Sequence, residues 1–373
     1  MTKRLGIGVI GCGNISAAYM RLAPLFRSIE MRACADLNPA AAVSRAKEFG
    51  LRAQSVDDLL GASDIDIVLN LTVPETHYAV SKAALSAGKH VYSEKPIVLR
   101  VKEGQDLTEL AASKGLRIGA APDTFLGGAH QLARHLIDEN AVGRITSGTC
   151  FVQSPGMEMW HPNPDFFFQP GGGPVLDLGP YYIANLVQLL GPVAKVTAMT
   201  SKGQDVRTIT SPERHGETIT VETPTTIHAI LGFESGAQVT FCASWDVWSH
   251  EHSHMELYGL DGSLFLPDPN FFGGEVRMTR RADPVATPVW DHPFSAPNEA
   301  DGQANYRAAG LADMASAILE GRDHRCSVAF AVHAVDVMTS ILRAGDEGRV
   351  IDIATPCARP DPLGPDAARA LLA

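Results

Sequence analysis

The chain has 373 residues, 45% of them hydrophobic and 20% charged, with a formal net charge of −11. That length exceeds what one core usually organises, so two domains are expected. The acidic balance, without a long basic run, argues against nucleic acid or an anionic membrane as partner.

Taken in chain order, the first third alternates in kind. "LGIGVI" reads as a buried strand, with "NISAAYMRLAPLF" a helix after it. "RACAD" is a second strand, and "PAAAVSRAKEFG" a helix with Pro39 near its start and Gly50 at its end. The continuous apolar run "DIVLNL" is of the kind parallel strands show. "ETHYAVSKAALSAG" and "KHVYSEKP", then "VKEGQDLTELAASKG" and "LRIGAAP", continue the alternation. Such a rhythm implies βαβ units and a parallel sheet covered on both faces. After about residue 122 the rhythm changes. A helix, "GGAHQLARHLIDEN", precedes "TTIHAILGF", "AQVTFCASWDV" and "HMELYGL", strand-like runs with short turns between them that suggest an antiparallel sheet. "AGLADMASAILEG" and "SVAFAVHAVDVMTSILRAG" are late helices, and the proline-rich tail either crosses to another domain or frays. The glycine-broken start reads as a first strand and not a signal peptide, and no apolar stretch approaches the roughly 20 residues that span a bilayer. Six dispersed cysteines without a C-x-x-C pair fit reduced thiols in the cytoplasm.

In "GVIGCGNIS", Gly11 and Gly13 end the first strand just before a helix that Asn14 and Ile15 open. Glycines there let the backbone approach a pyrophosphate, whose charge the helix N-terminus favours. Ser16 replaces the third glycine of G-x-G-x-x-G, a small residue that still permits close helix–strand packing. Asp36 ends the second strand about twenty residues on, where a carboxylate hydrogen-bonds the adenosine ribose. Strand, glycines, helix, strand and acid in that order predict a Rossmann domain. The carboxylate would repel a ribose 2′-phosphate, so NAD is preferred over NADP, with Arg45 the one nearby cation able to reverse that.

Farther on, "LTVPETHYAV" and "HVYSEKPIV" place Thr72, Pro74, His77 and then Glu94-Lys95-Pro96 after two further strands. Together with "GCGNIS", "GGGPVLDLG" and "AGLADMASAILEGRDHRCS", these motifs resemble the Gfo/Idh/MocA oxidoreductase family over most of the chain. The resemblance implies an α/β fold: a Rossmann domain, here residues 1–122, then an α/β domain, residues 123–373. The second domain would hold a largely antiparallel open sheet that carries the substrate site and joins a homodimer or homotetramer. It implies that Lys95 acts at the reacting hydroxyl and that the bond before Pro96 is cis. It also adds Thr72, Pro74, His77, Glu94, Lys95 and Pro96 to the cofactor contacts. Read from the residues alone, His77 either borders the nicotinamide or packs the start of the next helix.

The family pattern D-x-G-x-H corresponds to Asp177, Gly179 and Tyr181, a tyrosine standing where most members have histidine. The resemblance makes Asp177 the orienting group and Tyr181 a catalytic one beside Lys95. Whether Lys95 or Tyr181 takes the proton stays open, because a tyrosine base near neutrality requires its pKa of about 10 to fall by roughly 3 units. Tyr182 is assigned to packing. The bland alternative makes this stretch a core helix with Asp177 as its N-cap. Trp160 and His161, in the aromatic loop "MEMWHPNPDFFFQP", are candidate substrate contacts, and Asp123 is a further one or the cap of a helix. His250, His252 and His254 alternate as one strand face would show them, but alternate side chains lie about 7 Å apart, too far to share one ion, and no metal is expected. The expected activity is hydride transfer between NAD(P) and a hydroxyl-bearing carbon of a sugar, polyol or cyclic alcohol. The alternatives are NAD-assisted glycoside hydrolysis and a non-catalytic NAD-binding sensor.

Overall fold

A continuous run of inward-facing side chains sets the first strand: all six residues of β1 (Leu5–Ile10) are buried. The structure, a computed structural model, describes residues 3–373. Following β1 come α1 (Asn14–Leu22), β2 (Ile29–Ala35), α2 (Pro39–Phe49), β3 (Arg52–Ala53), α3 (Val56–Gly61) and β4 (Ile67–Asn70). Then follow α4 (Pro74–Ser86), β5 (His90–Ser93), α5 (Val101–Ser113) and β6 (Ile118–Ala120). The strands form one parallel sheet in the order β3-β2-β1-β4-β5-β6, which reverses between β1 and β4. Capping follows local chemistry. The Asn38 side chain accepts from the Ala40 N–H ahead of α2, Pro39 takes its first position, and Gly50 closes it at φ +69°. Only β3 and α3, both short, have no counterpart in the sequence reading.

The remaining elements are α6 (Gly128–Asp138), β7 (Ile145–Gln153), α7 (Pro174–Leu190), β8 (Val193–Ser201), β9 (Val206–Thr208), β10 (Thr218–Thr220), β11 (Thr226–Phe233) and β12 (Gln238–Ser244). After them come β13 (Met255–Gly259), β14 (Gly262–Leu266), β15 (Arg277–Arg280), α8 (Ala309–Glu320), α9 (Val328–Glu347), β16 (Ile351–Asp352) and α10 (Pro365–Leu371). Eight strands form a second sheet, β15-β14-β13-β7-β12-β11-β8-β16, antiparallel except where β7 meets β12. Along β11, Ile227, Ala229 and Leu231 are buried while His228 and Ile230 are exposed, and Met199 of β8 faces solvent opposite His228. Alternation of that kind leaves one face of the sheet open.

Two compact units result. The first takes the chain through Gln131 together with Asp291–Val335 and Pro360–Ala373; the second takes Leu132–Trp290 and Asp336–Arg359. The first unit therefore draws on segments beyond residue 123 that a single division at 122/123 leaves to the other domain. The tail does not fray: Leu363, Ala368 and Leu371 are buried within the first unit, and the Arg27 N–H donates to the Leu371 carbonyl. Helix α9 corrects a second expectation. By length and composition it could cross a membrane, yet 67% of its most apolar stretch is buried inside the protein, as a core helix requires.

Candidate functional site

In the first unit, the glycine turn is fixed by sterics. Gly11 sits at φ +101°, and a Cβ there would lie 2.6 Å from the Leu71 carbonyl. Gly13 has nothing within 4 Å of its own Cβ position. It caps α1, whose first turn has no side-chain cap and no acidic residue, so the helix N-terminus is left for an anion. Ser16, buried in the third glycine's place, donates its hydroxyl to the Gly13 carbonyl at 2.6 Å and closes the turn. The Asp36 carboxylate accepts the Cys12 N–H at 2.7 Å and the Asn38 N–H at 2.8 Å, which fixes it at the carboxyl end of β2. Beside it opens a cavity of about 1020 Å³ whose wall includes Ala53 and Val56 and the almost fully exposed Leu37. These features fit a dinucleotide: room at Gly13 for a pyrophosphate, a fixed carboxylate for ribose hydroxyls, and apolar surface for adenine. Gly11→Ala is expected to abolish dinucleotide binding while the chain remains folded, measured by titration and circular dichroism; unchanged affinity would remove the turn from the cofactor site.

Lys95 follows β5 at its carboxyl end, and the Lys95–Pro96 bond is cis, as the resemblance implied. With strands about 4.8 Å apart, the ends of β1 and β5 lie about 10 Å from one another across β4. Thr72 and Pro74 sit between them, after β4, where the Thr72 hydroxyl donates to Asn70 Oδ1 at 2.7 Å. The resemblance makes His77 a cofactor contact, and the residues alone also allow a packing role. The structure favours the second: His77 is 1% exposed, with Nδ1 2.6 Å from the Pro96 carbonyl and Nε2 2.9 Å from that of Thr72. Its ring is spent tying the two turns together. Glu94 points the other way: its carboxylate accepts the Tyr19 hydroxyl at 2.8 Å and the Lys95 N–H at 3.0 Å, and pairs with Arg307 at 3.2 Å. Burial raises the Glu94 pKa, but the Arg307 and Lys95 charges and the Tyr19 hydroxyl outweigh it, so the carboxyl titrates below its usual range. Glu94 thus holds the turn that presents Lys95.

Asp123 corrects the sequence reading. It is 1% exposed, and its Oδ2 accepts the N–H groups of Ala308 and Gly310, each at 3.1 Å. It therefore caps α8, a helix 185 residues away in sequence, and is not a substrate contact. Burial pushes its carboxyl up to about 6, against the pull of Arg307 and the Gly310 N–H. A folded-state pKa above the unfolded value stabilises below the unfolded pKa and loses that stabilisation as pH rises toward the folded one. Asp123→Asn is accordingly expected to gain stability relative to the parent between about pH 4 and pH 7, on the order of 3 kcal/mol. Thermal melts across that range test it; a difference independent of pH would reject it.

In the second unit, Gly173, at φ +96°, is the N-cap of α7, so Asp177 is not the cap but lies inside the first turns, its N–H bonded to the Gly173 carbonyl at 3.1 Å. Asp177 and Tyr181 are four residues apart and so share one face of the helix. Gly179 lets α7 approach Met338, whose sulfur lies 3.1 Å from the position a Cβ would take. Pro180 has no N–H to offer the Leu176 carbonyl one turn back. Tyr182, 1% exposed, is indeed a packing residue, its hydroxyl 3.1 Å from His254 Nδ1. Upstream, Trp160 is 62% exposed and meets the His161 ring edge-on at 5.4 Å, while His161 Nδ1 accepts the Asn163 N–H. The three alternating histidines precede β13 in an irregular segment instead of lying on a strand: His252 stacks on Phe151 at 4.0 Å, and His254 serves Tyr182. Among the described residues, no group of three or more His, Cys, Asp or Glu side chains is arranged to hold a metal.

Comparison with known proteins decides the family. A model described as an oxidoreductase family with an NAD-binding Rossmann fold matches residues 5–121, and one for the GFO/IDH/MocA C-terminal domain matches residues 130–265. The chain belongs to the Gfo/Idh/MocA oxidoreductase family. Among its relatives is the dTDP-3,4-didehydro-2,6-dideoxy-alpha-D-glucose 3-reductase of Streptomyces violaceoruber, 28% identical over 270 residues, which are 71% of this chain and 73% of that protein. Another is the D-xylose dehydrogenase of Paenarthrobacter nicotinovorans, 23% identical over 324 residues, 80% of each chain. A solved levoglucosan dehydrogenase, in complex with NADH and levoglucosan, shares the fold with a TM-score of 0.79 at 22% identity, over 94% of this chain and all of that one. As a Gfo/Idh/MocA protein the chain is an NAD(P)-binding oxidoreductase, and its parallel sheet is the family's Rossmann fold. Sequence reasoning missed Tyr19 and Arg307, because nothing local marks a tyrosine in a helix or an arginine in a loop as partners of Glu94.

Proposed function

We propose that the protein moves a hydride between nicotinamide and a hydroxyl-bearing carbon of a sugar, polyol or related cyclic alcohol. The observation that carries this reading is the Glu94-Lys95-cis-Pro96 turn, fixed at the carboxyl end of β5 in the same sheet whose β1 end forms the dinucleotide cradle. Ligands of such sheets bind outside those strand ends. The sugar reductase and the sugar dehydrogenase related to the chain support the substrate class. When bound, the nicotinamide supplies the hydride acceptor or donor. To Lys95 we assign the proton at the reacting hydroxyl; in the second unit Asp177 and Tyr181, on one face of α7, are candidate substrate contacts. Trp160 and His161 complete the substrate contacts, an exposed indole face suiting a sugar ring.

NAD is the cofactor we infer over NADP. The fixed Asp36 carboxylate opposes a 2′-phosphate, and Arg45, the nearby cation, is already paired with Glu48 at 2.6 Å and donates to the Gly13 carbonyl at 3.3 Å. Asp36→Ser is expected to shift the NADP/NAD ratio of kcat/KM upward by about tenfold; an unchanged ratio would reject the role of Asp36. The open face of the second sheet supports a homodimer or homotetramer, and light scattering that finds a monomer at micromolar concentration would exclude it. All six cysteines are free thiols, which supports a cytoplasmic setting. The deciding experiment follows reduced-nicotinamide absorbance with NAD and, separately, NADP against pooled sugars, polyols and glycosides. A rise confirms the reading; measurable cofactor binding with no turnover on any pool overturns it.

A further inference from the structure

We propose that Tyr19 is the positioning residue of the Lys95 turn, holding it in register with the dinucleotide cradle from which α1 begins. The proposal rests on the reading of Lys95 as the group that handles the proton. Gly13 caps α1 and leaves the helix N-terminus to an anion. The helix then buries Ser16, Tyr19 and Met20, at spacings of three and four that place them on one face. Ser16 closes the glycine turn. Tyr19, one turn further along, is fully buried, and its hydroxyl donates to Glu94 Oε1 at 2.8 Å. In the sheet, β4 lies between β1, which leads into α1, and β5, which leads into Glu94. Tyr19 therefore bridges two strand ends that are not neighbours.

The bridge continues to the lysine. Glu94 Oε2 accepts the Lys95 N–H at 3.0 Å, so one carboxylate joins a hydroxyl of α1 to the backbone of the turn. Burial, with the Glu94 and Asp123 charges beside it, pushes the Tyr19 hydroxyl well above its ordinary range, so it remains a donor at every working pH. Arg307 is the other partner of Oε1, at 3.2 Å, and its guanidinium lies over the Tyr19 ring at 5.8 Å. That contact is longer than the roughly 2.7–2.9 Å of a tight charged hydrogen bond. Without the Tyr19 hydroxyl the carboxylate is free to turn toward the guanidinium and release the Lys95 N–H. The scaffold would survive, because the His77 ring still ties the turn to the end of β4. What would be lost is the aim of the ammonium at the reacting hydroxyl, and a misplacement of about 1 Å costs up to roughly 10²-fold in rate.

Tyr19→Phe removes the hydroxyl and keeps the ring beneath the guanidinium. Tyr92→Phe is its control: Tyr92 is equally buried, lies on β5 three residues before Lys95, and its hydroxyl has no bond to Glu94. The full-length parent and variants are isotopically labelled at the lysine ε-carbon, and the Lys95 resonance is assigned through Lys95→Arg. Without cofactor, that resonance is expected to shift or broaden in Tyr19→Phe and to stay in place in Tyr92→Phe. Steady-state rates are expected to show kcat down about tenfold in Tyr19→Phe, with the NAD dissociation constant within about twofold of the parent. A merely structural tyrosine would disturb the two variants alike. An unmoved Lys95 resonance in Tyr19→Phe, equal effects in both variants, or a loss confined to NAD affinity would each overturn the proposal. The resonance is read without turnover, so the two readings fail separately. An inactive parent whose Lys95 signal answers to Tyr19 would sink the catalytic reading and leave this link standing; an active parent whose Lys95 ignores Tyr19 would do the reverse.

Discussion

Lys95→Ala is expected to keep its affinity for NAD and lose turnover by about 10²- to 10⁴-fold, the range that a positioned proton-transfer group supplies. Its backbone is fixed independently of its side chain: the N–H donates to Glu94 at 3.0 Å, and the following cis bond is tied through His77 to the turn after β4. Truncating the side chain therefore removes the ammonium while leaving the scaffold, so the loss should fall on kcat and not on cofactor binding. Nicotinamide fluorescence titration and steady-state rates separate the two. Lys95→Arg keeps the charge but cannot give up its proton, so it should stay inactive if Lys95 moves the proton and recover partly if it only stabilises charge. Turnover within a few-fold of the parent in Lys95→Ala would remove the residue from the mechanism.

Arg307→Met is expected to destabilise the first unit by about 3–5 kcal/mol, the usual cost of breaking one side of a buried ion pair. Glu94 and Arg307 expose 10% and 16% of their side chains, and the guanidinium also lies over the Tyr19 ring at 5.8 Å. With Arg307 present, the Glu94 carboxyl titrates below its usual range, so the pair stabilises above the unfolded carboxylate pKa and that contribution is lost as pH falls through the folded one. Without Arg307 the burial of Glu94 is less opposed and the pH dependence should reverse near neutrality. Adding Glu94→Gln to Arg307→Met should restore part of the stability, because no charge is then left buried without a partner. Denaturant unfolding of the four proteins closes the cycle. Additive losses, with no rescue, would show that the pair is not the unit the geometry describes.

Sequence and structure agree where the information is local. The continuous apolar strands, the asparagine–proline start and glycine stop of α2, and the glycine turn before α1 are set by residues within a turn of one another. Each formed as read. In the second sheet β11, β12 and β13 were legible for the same reason, since alternation and short turns mark them without a partner in view, whereas β7, β8, β14, β15 and β16 were not read. In the first unit β3 and α3, of two and six residues, left too few residues for a period to register.

The candidate site divides along the same line. The role of Lys95 came from the family resemblance, whereas position along the chain pointed to Gly11, Gly13 and Asp36, because a βαβ unit places strand ends and helix starts wherever its residues permit. It also brought Asp177 and Tyr181 onto one helix face, through a spacing of four. What those groups touch was decided by packing. Asp123 lies in a segment where a cap for the next helix and a substrate ligand look identical; the fold sets it instead against the N–H groups of Ala308 and Gly310. His77 could face a cofactor or the protein, and its burial between two carbonyls chose the protein. Glu94 meets Tyr19 and Arg307 at separations of 75 and 213 residues, and Arg207 meets Glu158 and Asp246 at 49 and 39. Periodicity and capping act over a few residues and were written in the sequence. Which buried charges share a partner depends on where whole strands and helices come to rest, and only the tertiary structure could decide that.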